Sequence, residues 1–412
     1  MPLDLAREII ARWPDPDPSH VSLLREGGVT AVLASGPTES FARACREAGL
    51  NLLGANDVRF AALAELERSP ADAPVALTDG LWAGVTRGPN APGRGDETAS
   101  ASREPWVDAN SFWVAYLRAL YPKRPALLGH SPPADRMVPF DSLELALIDA
   151  WVAGGNCLLP VERRFREALL RGDAKALDAW KQLGRTTRWL RENRPVFEQP
   201  TMPRVTLLVE PGAETAEIAN LMFRRNGSPA LAPAGDPPPP DPARIPVLVA
   251  VELKTPSPAT WKRIYAHAEA GATVIANSFK DPRRKPVRIQ EDRDFYKLGR
   301  GQVVNYRETI SDPSEFALDV IDLVTHPRRA VRLWNAPSVI ARATTAPGAT
   351  LVMVNYGSPL QREFPARIQG HFARARLLRP EAAAVELPTA RRGSTTEVRL
   401  ERMQKLAVAV FS

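Results

Sequence analysis

The chain contains 412 residues, 44% of them hydrophobic and 25% charged, and has a formal net charge of +7. Because compact domains usually contain about 100–200 residues, this length predicts two or three domains. The balance of apolar and charged residues excludes a largely disordered chain. The forty prolines, roughly twice the usual share, cluster at predicted element boundaries.

The positive charge is spread over arginine pairs such as Arg163/Arg164 and Arg283/Arg284, with acidic residues between them. Nucleic-acid binding requires positive charge on one face together with a recognisable module. Neither pattern is present, so no nucleic-acid partner is predicted.

Other patterns exclude several further classes of site. The two cysteines, Cys45 and Cys157, provide no disulfide framework and no cysteine-based metal site. The histidines lack metal-ligand spacing and no phosphate or dinucleotide loop occurs, so no metal or cofactor is predicted. The apolar runs are shorter than the ~18 residues of a membrane span. The compartment stays open, because the sequence would not show a leader that had been removed.

The first half, residues 1–200, alternates short apolar runs with helical patterns, which predicts parallel strands joined by crossover helices. A complete barrel of this kind takes about 250 residues, so we expect a compact or incomplete TIM-like barrel. The predicted strands are Val29–Ala34, Asn51–Gly54, Pro74–Asp79, Trp106–Asn110, Ala126–His130 and Asn156–Pro160. The predicted helices are 39–48, 111–120, 143–153 and 161–193, the last interrupted at Gly172-Asp173. The stretch from Arg87 to Arg103 lacks periodicity and predicts a long loop.

Two further units follow. Residues 201–335 predict a doubly wound α/β domain with parallel strands at 205–209, 230–232, 247–251, 273–276 and 302–306. Helices are expected at 215–225, 258–270 and 313–325. Residues 336–412 change to period two and predict an antiparallel β-sandwich.

The segments VTLLVEP, VLVAVELKTPSPATWKRIYAHAEAGATVIAN and GRGQVVNY, followed by LVMVNYGSP and LAVAVF, resemble the last two domains of family 42 β-galactosidases. The resemblance implies a catalytic barrel, a flavodoxin-like trimerisation domain and a C-terminal β-sandwich, in that order. It also implies a carbohydrate ligand and a homo-oligomer formed through the middle domain. In that family the catalytic acid follows an asparagine, and no Asn-Glu pair ends a predicted strand here. The resemblance therefore assigns no catalytic residue.

Glycoside hydrolysis needs two carboxyl groups that face each other across the bond, and barrel enzymes hold such groups at the carboxyl ends of strands. This rule selects Asp79, Asp108 and Glu162, with Glu104 as an outside candidate. The competing structural roles are a turn cap for Asp79, a helix N-cap for Asp108 or Asn110, and surface ion pairs for Glu162.

Predicted substrate-binding residues stand near these carboxyl groups. Indole rings provide apolar platforms for sugars, and the strand-end side chains are Trp82, Trp106, Asn110, Trp113 and His130. A lone histidine of this kind is more often a hydrogen-bonded structural group. Two functions follow: a glycoside hydrolase that uses Asp79 and Asp108, or a catalytically degenerate relative that binds glycans or serves as an oligomeric scaffold.

Overall fold

A computed structural model describes residues 3–66, 68–70, 72–86, 106–134, 137–323, 328–345 and 348–412. The predicted loop at 87–103 lies outside these ranges. The α-helices are α1 (Val21–Glu26), α2 (Glu39–Glu47), α3 (Leu63–Leu66), α4 (Ser111–Leu120), α5 (Ser142–Trp151), α6 (Arg163–Leu170), α7 (Ala174–Glu192), α8 (Arg194–Phe197), α9 (Ala213–Arg224), α10 (Pro258–Ala270) and α11 (Pro313–Leu323).

The strands of the first half are β1 (Ile10–Arg12), β2 (Ala31–Leu33), β3 (Asn51–Leu53), β4 (Arg59–Ala61), β5 (Val75–Leu77), β6 (Gly84–Thr86), β7 (Trp106–Asp108), β8 (Leu127–Leu128), β9 (Asn156–Cys157) and β10 (Leu159–Pro160). Eight of them form two parallel sheets, in the orders β10-β1-β2-β3 and β4-β5-β8-β9. Because β9 and β10 are consecutive pieces of one segment, that segment joins the two sheets. In the described ranges, no backbone pairing joins β3 to β4.

One predicted parallel strand is wrong in its pairing. Strand β7 pairs antiparallel with β6, with Val107 opposite Val85, in a separate two-stranded sheet. The apolar run alone could not reveal this, because the same residues suit either type of pairing.

The predicted interruption of the long helical region is confirmed. Gly172 takes a φ of 76°, and the Asp173 side chain accepts the Ala176 amide at 3.0 Å as the cap of α7.

The middle sheet contains β11 (Val205–Val209), β12 (Ala230–Pro233), β13 (Val247–Ala250), β14 (Thr273–Ala276), β15 (Arg288–Ile289), β16 (Arg293–Leu298) and β17 (Gly301–Tyr306). Its order is β12-β11-β13-β14-β17-β16-β15, and the first five strands are parallel. Every residue of β11, β13 and β14 is buried, as expected for a parallel sheet that is covered on both faces.

The C-terminal strands are β18 (Val331–Leu333), β19 (Val339–Thr345), β20 (Ala349–Asn355), β21 (Phe364–Gln369), β22 (Ala375–Arg379), β23 (Ala382–Leu387), β24 (Ala390–Arg392), β25 (Thr395–Leu400) and β26 (Leu406–Phe411). They form two antiparallel sheets, β18-β21-β25-β24 and β19-β20-β26-β22-β23. Strand β18 precedes the predicted start of this unit at residue 336. It belongs to these sheets because Val331 pairs with Ile368.

A fully buried carboxylate joins the first and last units. Asp149 of α5 accepts hydrogen bonds from the amides of Asn110 at 2.6 Å and Ser111 at 3.0 Å, so it satisfies backbone donors at the start of α4. It also accepts the hydroxyl of Tyr356, which follows β20, at 2.6 Å. Burial raises the pKa of Asp149 from 3.8 to about 6, although these hydrogen bonds oppose the shift.

Removing the tyrosine donor should destabilise the protein. Tyr356→Phe leaves the buried Asp149 with one donor fewer, so we expect the free energy of unfolding to fall by about 1–3 kcal/mol. Chemical denaturation of Tyr356→Phe, Asp149→Asn and the double variant measures the coupling between the two residues. Strictly additive losses would contradict a direct interaction between them.

The same carboxyl group predicts a pH dependence of stability. Because its pKa is higher in the folded state than the ordinary 3.8, the folded protein retains a proton that the unfolded chain has lost between these values. The contribution of Asp149 to the free energy of unfolding should therefore decrease as the pH rises from about 3.8 to about 6. Measuring the free energy of unfolding of wild type and Asp149→Asn across this pH range tests this dependence. Parallel curves of free energy against pH would refute it.

Candidate ligand cleft

A cleft of about 860 Å³ lies at the carboxyl ends of strands in the first half. Arg12 ends β1, Ser35 follows β2, Ser131 follows β8 and Pro160 ends β10. The described residues that line the cleft, which we call the mouth cleft, are Arg12, Trp13, Pro14, Leu33, Ser35, Ala55, Phe60, Ser131, Pro132, Pro133, Ala134, Met137, Pro160, Val161, Glu162 and Arg164. Parallel α/β sheets hold their ligands at this end of the strands.

The side chain of Arg12 is held by the end of the neighbouring strand β8. Its guanidinium donates to the carbonyl oxygens of Gly129 at 3.2 Å and His130 at 2.9 Å, and to the hydroxyl of Ser131 at 3.0 Å. Its Nε has no hydrogen-bond partner among the described residues. Burial lowers the pKa of Arg12. These carbonyl and hydroxyl contacts fix the guanidinium plane without neutralising its charge.

Of the predicted catalytic residues that the structure describes, only Glu162 lines the mouth cleft. Its carboxylate lies 3.5 Å from the guanidinium of Arg164, which also stacks over the Phe140 ring at 4.6 Å. Arg163, which lies between these two residues in the chain, is not in the cleft lining and pairs with Glu167 at 2.7 Å. Glu162 therefore forms an ion pair, as its competing structural role predicted, but this pair lies in the cleft lining.

Two other predicted residues, Trp82 and His130, contact each other and are not among the lining residues of the cleft. The rings of Trp82 and His130 meet edge to face with centroids 6.0 Å apart, and the indole donates to Ser142 at 3.1 Å. His130 is 3% exposed, and neither ring nitrogen has a hydrogen-bond partner in the described ranges. Burial, with a further effect of the Arg12 charge, lowers the pKa of His130 to about 4. The imidazole is therefore neutral at pH 7.

Neither Asp79 nor Asp108 lines the mouth cleft. The exposed Asp79 carboxylate accepts the amide of Leu63, the first residue of α3, at 2.8 Å. Asp108 is 3% exposed and accepts the indole N–H of Trp106 at 3.1 Å. The catalytic roles of these two residues stay predictions, and the cleft geometry gives them no support. Glu104 lies outside the described residues.

The remaining predicted residues are built into the packing. Asn110 precedes α4 but does not cap it with its side chain. Instead the amide group of Asn110 accepts from the Leu81 N–H and donates to the Leu81 carbonyl, both at 2.8 Å. Trp113 is 9% exposed and packs on Tyr116. The ring of Trp106 lies under the guanidinium of Arg224, 3.2 Å from its centroid.

Two lining residues, Arg12 and Phe60, were not among the predicted site residues. Both belong to three-residue strands, β1 and β4, that were not predicted. The available signal was the apolar run EIIA that ends at a charged residue, Arg12. Phe60 is 37% exposed, an unusual position for an aromatic ring in a short strand.

A second cleft, of about 960 Å³, lies between the first half and the C-terminal sheets. Its buried carboxylate, Glu144, already accepts from Gln182 at 3.2 Å and pairs with Lys405 at 2.6 Å. Because this carboxylate is satisfied by protein groups and the second cleft is not at the carboxyl ends of the parallel strands, the mouth cleft is the stronger candidate site.

Within the described ranges, no group of three or more His, Cys, Asp or Glu side chains is arranged to hold a metal ion. No helix there has the length and apolarity to cross a membrane.

Comparison with known proteins gives similarity of fold. Neither a protein-family model nor a curated protein sequence matches the chain. The α-L-fucosidase isoenzyme 2 from Paenibacillus thiaminolyticus has a similar structure, with a TM-score of 0.50 and 8% identity over 99% of this chain and 100% of that one. A GH42 β-galactosidase from G. stearothermophilus gives 0.49 and 11%, over 91% of this chain and 66% of that one. The chain thus has a glycoside hydrolase-like, mixed α/β fold.

The packing of His130 predicts a steric effect at Gly80. A Cβ atom at Gly80 would lie 2.4 Å from Nδ1 of His130, and the ring is confined by Trp82. Gly80→Ala should therefore lower the free energy of unfolding by about 1–3 kcal/mol. Gly235→Ala is the matched control, because a Cβ there meets nothing within 4 Å. Equal denaturation midpoints for the two variants would contradict the packing described.

Proposed function

We propose that this chain is a carbohydrate-active protein that binds a saccharide in the mouth cleft and hydrolyses a glycosidic bond there. The observation that carries the proposal is the position of the cleft, at the carboxyl ends of parallel strands in a glycoside hydrolase-like fold. The exposed ring of Phe60 offers an apolar platform for a sugar face, and Ser35 and Ser131 offer hydroxyl groups at the rim.

In this proposal Glu162 is the carboxyl group that acts on the bond. It is the only carboxylate among the described lining residues, and hydrolysis by the usual mechanism needs two. The alternative is that the chain binds glycans without hydrolysing them. The single described carboxylate supports that alternative, whereas the similarity of fold supports the enzyme.

A turnover assay separates these two functions. We expect wild type to release aryl or sugar leaving groups from a panel of aryl-glycosides and oligosaccharides, and Glu162→Gln to be slower by about a hundredfold or more. Glu167→Gln is the matched control, a carboxylate on the helix that follows Glu162, where it pairs with Arg163 and does not line the cleft. Asp79→Asn and Asp108→Asn test the residues predicted from sequence.

Three outcomes distinguish the hydrolase from the glycan-binding protein and one candidate carboxylate from another. Binding without turnover in every variant would refute the hydrolase and support the glycan-binding protein. Turnover that is equal in wild type and Glu162→Gln would remove Glu162 from the mechanism. A loss in Asp79→Asn or Asp108→Asn alone would return the site to those carboxylates.

We also propose that the chain is built from three units, at 1–200, 201–335 and 336–412 with β18 added to the last, and that the middle unit mediates self-association. The strand orders given above support the assignment of the three units as TIM-like, flavodoxin-like and a β-sandwich, in that order. The middle sheet ends at the short edge strand β15, where Val287 is 68% and Ile289 is 65% exposed. Unpaired, apolar sheet edges favour association.

Light scattering tests the self-association. Wild type should have a mass above that of one chain, and Ile289→Lys should shift the mass towards the monomer because a charge opposes burial of the edge. Val385→Lys, at an exposed position of another edge strand, should leave the mass unchanged. A monomeric wild type would contradict the proposal.

A further inference from the structure

The mouth cleft contains a positive charge that the described part of the protein does not neutralise. Its described lining has two guanidinium groups, of Arg12 and Arg164, and one carboxylate, of Glu162. Glu162 pairs with Arg164. Arg12 contacts two carbonyl oxygens and one hydroxyl. It forms no ion pair with any described carboxylate.

Such an arrangement is costly without a ligand. A partly buried guanidinium that lacks a counter-ion has lost water without gaining an opposite charge, and the Phe60 ring, 5.6 Å from Cζ, compensates only weakly. The contacts to β8 hold the group in place at the end of β1. A charged group that is oriented in this way is suited to a planar or tetrahedral anion, which guanidinium binds well.

We propose that the saccharide bound in the mouth cleft carries an anionic substituent, a carboxylate or a sulfate ester, that lies against Arg12. The inference rests on the proposed function and specifies its substrate class. Arg164, which also lines the cleft, contributes a second positive charge, partly offset by Glu162. A neutral saccharide would fill the same cleft and leave the charge of Arg12 unpaired.

Titration calorimetry with three probes of equal length tests the proposal: digalacturonic acid, a sulfated galactobiose and unmodified galactobiose. We expect at least one anionic probe to bind wild type about tenfold or more tightly than the neutral one, because charge-assisted hydrogen bonds are stronger than neutral ones. The difference should shrink as salt is raised. The two anionic probes distinguish a carboxylate site from a sulfate site.

Variants locate the effect. Arg12→Gln and Arg164→Gln should each lose most of the preference for the anionic probe, measured as the ratio of its affinity to that of the neutral probe. Arg164→Gln keeps the test valid if Arg12→Gln fails to fold, because Arg164 does not hold a strand end. Arg163→Gln removes the same charge one position along α6, outside the cleft, and should retain the preference.

The results separate this inference from the function on which it rests. Equal affinity for all three probes would overturn the anionic substituent and leave saccharide binding intact. An anionic preference that survives in both cleft variants would also overturn it. No binding of any probe at millimolar concentration would count against both proposals.

Discussion

The buried carboxylate of Asp149 is the constraint on which the candidate site depends. Its two oxygens accept from the start of α4 and from Tyr356, so the helix and the C-terminal sheets are fixed to α5 together. Asn110, whose amide contacts Asp149, also holds both backbone groups of Leu81. The position of the loop that carries Trp82 is therefore determined by a group in the protein interior.

The mouth cleft is connected to this network through His130. Trp82 packs edge to face on that ring, and the His130 carbonyl accepts from Arg12. A path of hydrogen bonds and ring contacts thus runs from Asp149 to the strand-end arginine. Because each step is a direct contact between packed groups, the orientation of Arg12 is set by the interior of the first half and by the C-terminal unit that covers it.

A buried arginine provides a second connection between the same units. Arg342 of β19 donates to the carbonyl oxygens of Val152 at 2.6 Å and Phe197 at 2.9 Å, and burial lowers its pKa to about 9. A continuous apolar core also extends from the first half through the middle sheet to Val352 and Val408. The proposed units are therefore not independent bodies linked by flexible segments.

The sequence predicted the elements whose periodicity is long. Helices α4 and α10 begin and end at the predicted residues, and the five parallel strands of the middle sheet lie where apolar runs were found. The antiparallel strands β15 and β16 were not predicted. Strands β1 and β4 were missed because three residues carry almost no periodic signal. Asp149 was missed for another reason. The segment around it, LELALIDAW, predicts a buried helix. Its hydrogen-bond partner Tyr356 is 207 positions away in the sequence.

The rule that carboxylates at strand ends are catalytic selected Asp79 because position was the only available criterion. The structure adds a second criterion, namely what each carboxylate contacts. Asp79 and Asp149 accept from the starts of helices, and Asp108 accepts the indole N–H of Trp106. None of the three lines the mouth cleft, where the charge at the end of β1 is the positive one of Arg12.

That positive charge affects the chemistry of the site. Glycoside hydrolysis passes through an oxocarbenium-like state, which a carboxylate stabilises and a nearby cation opposes. An anionic substituent against Arg12 would offset this cation, while Glu162 stays paired with Arg164. The anion on the ligand would then contribute to the reaction as well as to binding, because the bound substrate supplies the negative charge that the described lining of the cleft lacks.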